Sequence, residues 1–142
     1  METKVGYLVD SNVWLERLLD QENSEVVSRF FDLVATDEIF VSDFSIHSIG
    51  VILSRFKKFD VFEQFIDDLF VHGQIEQLSL NPADLFDVIS NMKIYKLDFD
   101  DSYQFSVSQK YDLTIITFDK DFNVKGIKKN SPAEIVENHL NT

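Results

Sequence analysis

Four short apolar runs alternate along the chain with longer segments whose apolar residues recur at helical spacing. The runs cover residues 5–9, 39–41, 75–80 and 113–117, and they are short enough for buried strands. Strands that alternate with helices predict an α/β fold in which right-handed crossovers join the strands of a mainly parallel sheet. A chain of 142 residues has the size of one domain, so we predict a single domain over residues 1–142.

Helical patterns fill the stretches between these predicted strands. A helix is expected directly after Asp10, because Asp10, Ser11 and Asn12 are all good helix caps. Further helices are predicted over residues 24–35, 44–56, 60–70, after Pro82 and from the acidic segment 98–101 to residue 110. Residues 122–142 give no firm prediction.

The composition narrows the possible functions. The chain has 13 Lys and Arg against 25 Asp and Glu, a net charge of −12, so nucleic acid is repelled overall and a general coating protein is disfavoured. The absence of cysteine excludes disulfides, thiolate zinc sites and cysteine nucleophiles. No segment approaches the roughly 18 apolar residues that a membrane-spanning helix needs, so we expect a cytoplasmic protein that does not contact membranes.

Acidic residues follow three of the four predicted strands. Asp10, Asp43 and Asp119 each come directly or almost directly after an apolar run, and Asp101 lies where a helix is predicted to begin. Because ligand sites of parallel sheets lie beyond the carboxyl ends of the strands, these carboxylates are expected to share one face. Each also has an ordinary structural interpretation as a helix cap, a first-turn acid or a polar turn residue. Only their joint occurrence points to a site.

Carboxylates that converge without balancing cations repel one another and raise one another's pKa. A hard divalent cation relieves this repulsion, and Mg²⁺ and Mn²⁺ both accept carboxylate oxygens as ligands. Such a centre is suited to phosphodiester hydrolysis, in which the metal activates a water molecule and neutralises charge on the phosphate.

Three segments of the sequence carry a family resemblance. Residues 8–12 read LVDSN, residues 97–102 read LDFDDS, and residues 115–122 read IITFDKDF. Together they resemble the PIN domain family, which includes the VapC-type ribonuclease toxins, and the resemblance extends from Tyr7 to about Val136. It implies a three-layer α/β/α fold and an endonuclease that depends on Mg²⁺ or Mn²⁺ and acts mostly on RNA.

The resemblance also implies roles for individual residues. The catalytic acids that bind the metal would be Asp10, Asp101 and Asp119, with Asp121 as an additional metal ligand. Supporting positions would be Asn12 beside the first acid, Ser42 at the end of the second strand and Thr117 beside the metal.

The sequence departs from the family pattern in the helix after the second strand. The family usually has a glutamate in the first turns of this helix, whereas residues 42–49 read SDFSIHSI. Spacing from Ser42 places the missing acid at Ser48, or at His47 if the alignment shifts by one residue. A serine cannot carry the charge, and a neutral histidine favours Mn²⁺ or another transition metal over Mg²⁺. Asp43 could compensate from the strand end.

Two functions from different classes follow. The first is a metal-dependent endoribonuclease, the toxin of a toxin–antitoxin pair, whose activity the missing glutamate weakens. The second is a catalytically impaired PIN-like module that binds protein or RNA. A receiver-type signalling domain is less favoured, because residues 80–82 offer no phosphate-accepting Asp. Apolar residues in segments 14–31 and 56–70 exceed the needs of a small core, which predicts a homodimer or a protein partner such as an antitoxin.

Overall fold

The structure, a computed structural model, describes residues 5–141; the ends of the predicted domain, residues 1–4 and 142, lie outside the described residues. A five-stranded parallel sheet is formed within this range, with the strand order β3-β2-β1-β4-β5. The strands are β1 (Tyr7–Val9), β2 (Ile39–Ser42), β3 (Glu76–Leu78), β4 (Thr114–Ile116) and β5 (Lys129–Asn130).

The helices connect these strands. The α-helices are α1 (Ser11–Leu18), α2 (Ser24–Leu33), α3 (Asp43–Arg55), α4 (Phe59–Ile66), α5 (Leu85–Tyr95), α6 (Phe99–Lys110) and α7 (Pro132–Leu140). Three short 3₁₀ segments cover Thr36–Glu38, Pro82–Asp84 and Lys120–Phe122, and a π-helical segment, Asp67–His72, extends α4.

The apolar residues form a core on each face of the sheet. Adjacent strand residues point to opposite faces, so that Val9 joins one core and its neighbour Leu8 joins the other. The larger core packs the sheet against α1, α2, α3, α4 and α7. On the opposite face, Phe105 and Val107 of α6 pack against the sheet, and α5 packs against α6. The predicted three-layer α/β/α fold with a parallel sheet is confirmed.

The structure differs from the sequence predictions mainly at the ends of elements. The strand predicted over residues 5–9 begins at Tyr7, and the one predicted over 75–80 is the three-residue edge strand Glu76–Leu78. Neither β5 nor α7 was assigned from the sequence. A two-residue strand has no apolar period to recognise, but α7 carries a readable signal, because Ser131 and Glu134 form a capping box around Pro132.

None of the helices formed by residues 5–141 combines the length and the apolar character required to cross a bilayer.

The topology brings several polar side chains to one edge of the sheet. The chain runs outward from β1 to β2 and β3, then returns to add β4 and β5 on the other side of β1. Ligand sites of open parallel sheets lie at such a reversal, beyond the carboxyl ends of the strands. Asp10 follows β1 and caps α1, Ser42 ends β2 and caps α3, and Thr117 follows β4.

Candidate metal centre

Three carboxylates meet at this edge of the sheet. Asp101 comes from the first turn of α6, and Asp119 and Asp121 come from the turn after β4. One oxygen atom of each lies within 4.8 Å of the others, and the side chains range from half-buried to exposed. Among the residues described, none of the ion pairs formed involves these three acids. Three close carboxylates form a donor set that fits a hard divalent cation.

The electrostatics of Asp101 reflect this crowding. Its pKa is raised from the ordinary value near 4 to about 7. Burial is the largest cause, and the negative charges of Asp119, Asp98, Asp10 and Asp121 add to it. Without a cation, the acids therefore do not all ionise freely near neutral pH. A bound divalent cation would remove this penalty.

Asp10 is held differently from the other acids. Only 7% of its surface is exposed, and its carboxylate accepts four hydrogen bonds from the protein. Oδ1 accepts from the Ser11 backbone N–H at 2.8 Å and from Gln104 Nε2 at 2.9 Å. Oδ2 accepts from Thr117 Oγ1 at 2.8 Å and from Asn12 Nδ2 at 3.4 Å. Burial raises the pKa of Asp10, and the donors from Gln104, Thr117 and Ser11 act in the opposite direction.

Asn12 and Thr117 tie the ends of β1 and β4 together. Asn12 Nδ2 donates to Thr117 Oγ1 at 3.2 Å, and Asn12 Oδ1 accepts from the Phe118 backbone N–H at 3.2 Å. Thr117 Oγ1 also accepts from the Asp119 backbone N–H at 2.9 Å. The turn that carries Asp119 is thereby attached to the residues around Asp10.

Helix α3 approaches Asp10 through Ser45. Sequence spacing placed the missing acid at Ser48 or His47; in the structure, His47 is exposed and Ser48 is half-buried. Ser45 lies on the buried face of α3 with Ile49 and Leu53. At about 100° per residue, Ser48 is only about 60° from Ser45 around the helix, whereas His47 is turned away by about 160°. Ser45 is linked to Asp10 through two partners of that carboxylate, Ser11 and Gln104.

Gln104 completes this side of the site and was not identified from the sequence. Its Nε2 group donates to Asp10 and, at 2.8 Å, to Ser45 Oγ, while its Oε1 accepts a short hydrogen bond from the Ser42 hydroxyl. Ser11 Oγ donates to Ser45 Oγ at 2.9 Å. The available signal was a neutral polar residue three positions after Asp101 and next to Phe105, on a helix already assigned to the site.

Asp43 lies elsewhere on the same edge of the sheet. The Tyr103 hydroxyl donates to Asp43 Oδ1 at 3.0 Å and Oδ2 at 3.2 Å, and it accepts from the Leu80 backbone N–H at 3.4 Å. Asp43 is therefore engaged on the β3 side and does not join the carboxylates of Asp101, Asp119 and Asp121.

Comparisons with known proteins agree with this architecture. A toxin–antitoxin complex from Klebsiella pneumoniae contains a similar fold, with a TM-score of 0.71 and 17% identity over 89% of this chain and 98% of that chain. FitAcB from Neisseria gonorrhoeae gives a TM-score of 0.70 and 22% identity over the same shares. VapC20 from Mycobacterium tuberculosis, described as a toxin that cleaves the sarcin–ricin loop, gives 0.71 and 13% identity over 83% of this chain and 93% of that chain.

No curated protein matches the sequence at a significant level. The family model of the PIN domain matches residues 7–128, which include Asp10, Asp101, Asp119 and Asp121. This match covers most of the 142 residues, and the three-layer fold and the converging acids agree with it. The chain belongs to the PIN domain family.

Proposed function

We propose that this protein is an endoribonuclease that depends on Mg²⁺ or Mn²⁺ and acts as the toxin of a toxin–antitoxin pair. The observation that carries the proposal is the convergence of Asp101, Asp119 and Asp121 within 4.8 Å, next to the buried Asp10. Membership of the PIN domain family and similarity in fold to structures of toxin–antitoxin complexes support it. Its site of action would be the cytoplasm, where RNA is present.

The roles of the acids follow from their exposure. Asp101, Asp119 and Asp121 would hold the cation, and the buried Asp10 would be a further ligand beside them. When bound, the cation supplies an activated water molecule and a positive charge for the phosphate. Asp121 is exposed, so the centre is open to solvent on the side from which a phosphodiester can approach.

A catalytically impaired binding module is the second candidate. It is favoured by the hydrogen bonding around Asp10, whose two oxygens already accept four donors. It is also favoured by the lack of an acid at Ser48 and His47, where the family pattern expects a glutamate. In this alternative the fold would serve recognition of RNA or protein, with weak hydrolysis or none.

The antitoxin would dock in an apolar groove between α1 and α4. The groove has a volume of about 620 Å³ and is lined by Trp14, Leu18, Val61, Phe65 and Leu69, with Arg17, Asp60, Gln64 and Asp68 among its polar residues. Apolar side chains of a partner would fill the groove, and basic residues would complement its two acids and the net charge of −12.

A homodimer is also proposed, with α5 as its interface. This helix exposes Leu85, Phe86 and Ile89, whose exposed fractions are 41%, 76% and 48%. Leu85 and Ile89 are one helical turn apart, and Phe86 lies beside them, so the three form one apolar face. Contiguous exposed apolar patches on soluble proteins mark sites of interaction with other proteins.

The test combines metal binding with RNA cleavage. Calorimetric titration of Mn²⁺ and Mg²⁺ into metal-free wild-type protein should show binding, and the same samples should cleave a structured RNA only after metal is added. Asp119→Asn should lose both properties, whereas Asp100→Asn should keep both, because Asp100 carries the same charge near the start of α6 but does not belong to the three-acid group.

Metal binding by wild-type protein without any cleavage would support the binding module instead. Cleavage that persists unchanged in Asp119→Asn would contradict the assigned centre.

A further inference from the structure

Gln104 is a polar side chain with almost no contact with solvent. Only 1% of its surface is exposed, although it lies on α6 between the sheet and the metal centre. All of its hydrogen-bonding partners belong to other elements: Asp10 follows β1, Ser42 ends β2 and Ser45 lies on α3. A buried amide is costly unless its donors and acceptor are satisfied, and here each end of the amide has a partner.

The direction of the Gln104 amide is set by its surroundings. The Ser42 hydroxyl donates to Oε1, which leaves Nε2 facing the Asp10 carboxylate at 2.9 Å. The opposite orientation would bring two acceptor oxygens to the same distance, which is repulsive. Ser42 thus turns the donor end of Gln104 toward the acid, and Ser45 Oγ accepts a hydrogen bond from the second N–H of the amide.

Asp10 depends on such donors because it is buried. A buried carboxylate stays ionised and oriented only while hydrogen bonds replace the water that it has lost. Gln104 supplies one of the two donors to Oδ1.

We propose that Gln104 is a positioning residue of the metal centre, whose neutral amide, anchored by Ser42 and Ser45, holds the Asp10 carboxylate oriented toward the cation. This inference rests on the proposed function. Here a hydrogen-bond donor faces Asp10, so the first acid is already ordered in the metal-free protein.

The test is the substitution Gln104→Met, which keeps the length of the side chain and removes the amide. The matched control is Asn91→Leu: Asn91 is also a buried amide, 6% exposed, and it hydrogen bonds to Ser106 and Gln109 on α6, away from Asp10. Both variants should lose thermal stability. Only Gln104→Met should weaken Mn²⁺ binding, by roughly 10- to 100-fold in calorimetric titration of folded protein, which is typical of groups that orient metal ligands.

A spectroscopic measurement separates positioning from general destabilisation. In wild-type protein, the side-chain amide resonances of Gln104, identified by their loss in Gln104→Met, should shift when Mg²⁺ is added, and those of Asn91 should not. If Gln104→Met does not fold, Ser45→Ala removes one acceptor of the same amide and should weaken Mn²⁺ binding to a smaller degree.

If wild-type protein binds Mn²⁺ and the folded variant, Gln104→Met or Ser45→Ala, binds it with the same affinity, the role of Gln104 is overturned. The proposed function would stay intact. Wild-type protein that binds neither Mn²⁺ nor Mg²⁺ would overturn the proposed function itself.

Discussion

The Thr117 hydroxyl donates a hydrogen bond of 2.8 Å to the Asp10 carboxylate and thereby joins the carboxyl ends of β1 and β4. These two strands are neighbours at the point where the strand order reverses, although 107 positions separate the two residues in the sequence. The same hydroxyl accepts from Asn12 and from the Asp119 backbone N–H. One buried side chain therefore links the first acid of the centre to the turn that carries two others.

Thr117→Val should destabilise the protein by about 2–4 kcal/mol, because Val keeps the shape of Thr but removes one donor and two acceptor interactions from buried groups. Urea unfolding of metal-free protein measures the change. Thr114→Val, on the same strand, is the control: Thr114 is half-buried, and its substitution should change the free energy of unfolding by less than about 0.5 kcal/mol. Equal effects of the two substitutions would contradict the linking role of Thr117.

The metal-free protein should become less stable as the pH rises from about 4 to about 7. The pKa of Asp101 is about 7 in the folded protein and near 4 in the unfolded chain, so between these values the folded state holds a proton that the unfolded state has lost. This contribution is present at low pH, is lost as the pH rises through 7 and is constant above it. Urea unfolding at pH 5 and pH 8 measures the difference.

Asp101→Asn is the control for this pH dependence, because it removes the titrating group and should flatten the curve. A wild-type protein that gains stability between pH 5 and pH 8, with Asp101→Asn unchanged from it, would contradict the raised pKa.

Removing one negative charge from the three-acid group should stabilise the metal-free protein. Asp119→Asn should raise the free energy of unfolding at pH 8 by about 1 kcal/mol, a value reduced for solvent screening because the neighbouring Asp101 is only half-buried. Mn²⁺ should reverse the order: it should raise the melting temperature of wild-type protein and leave that of Asp119→Asn unchanged. Melting curves with chelator and with Mn²⁺ give both comparisons, and a destabilised metal-free variant would count against charge repulsion in the centre.

Phe86→Gln should convert a dimer into a monomer, because Phe86 is the most exposed residue of the apolar face of α5. Size-exclusion chromatography with light scattering at tens of micromolar gives the mass. Phe56→Gln is the control, since Phe56 is 63% exposed but lies after α3, away from this face. A wild-type monomer, or a dimer that only Phe56→Gln dissociates, would contradict the proposed interface.

Much of the fold was predictable from local patterns. The apolar runs that become β1, β2 and β4 were recognisable because buried parallel strands read as short continuous apolar segments. The capping residues after β1 and before α6 marked where helices begin, and Asp10 and Asp98 both act as such caps. β5 was not predictable, because its two residues are placed by pairing with β4 and not by any pattern of their own.

Some residues of the candidate site could also be predicted from the sequence, and others could not. Asp10 and Asp119 could be named from predicted strand ends and Asp101 from a predicted helix start, because such ends meet at one edge of a parallel sheet. The role of Asp121 was implied by the resemblance to the PIN domain family. The separation of Asp43 from this group, and the contacts of Ser45 with Ser11 and Gln104, could not be predicted. Both depend on how α3 is rotated against the sheet, which local spacing does not define.

By itself, then, the sequence determined the alternation of strands and helices and the edge of the sheet at which acidic residues follow the strands, because both follow from the local order of apolar and polar residues. Only the tertiary structure decided that Gln104 joins Asp10 to Ser42 and Ser45. Those contacts join residues as far as 94 positions apart, and their hydrogen bonds form only when packing has fixed the distance and rotation of α3 and α6 over the sheet.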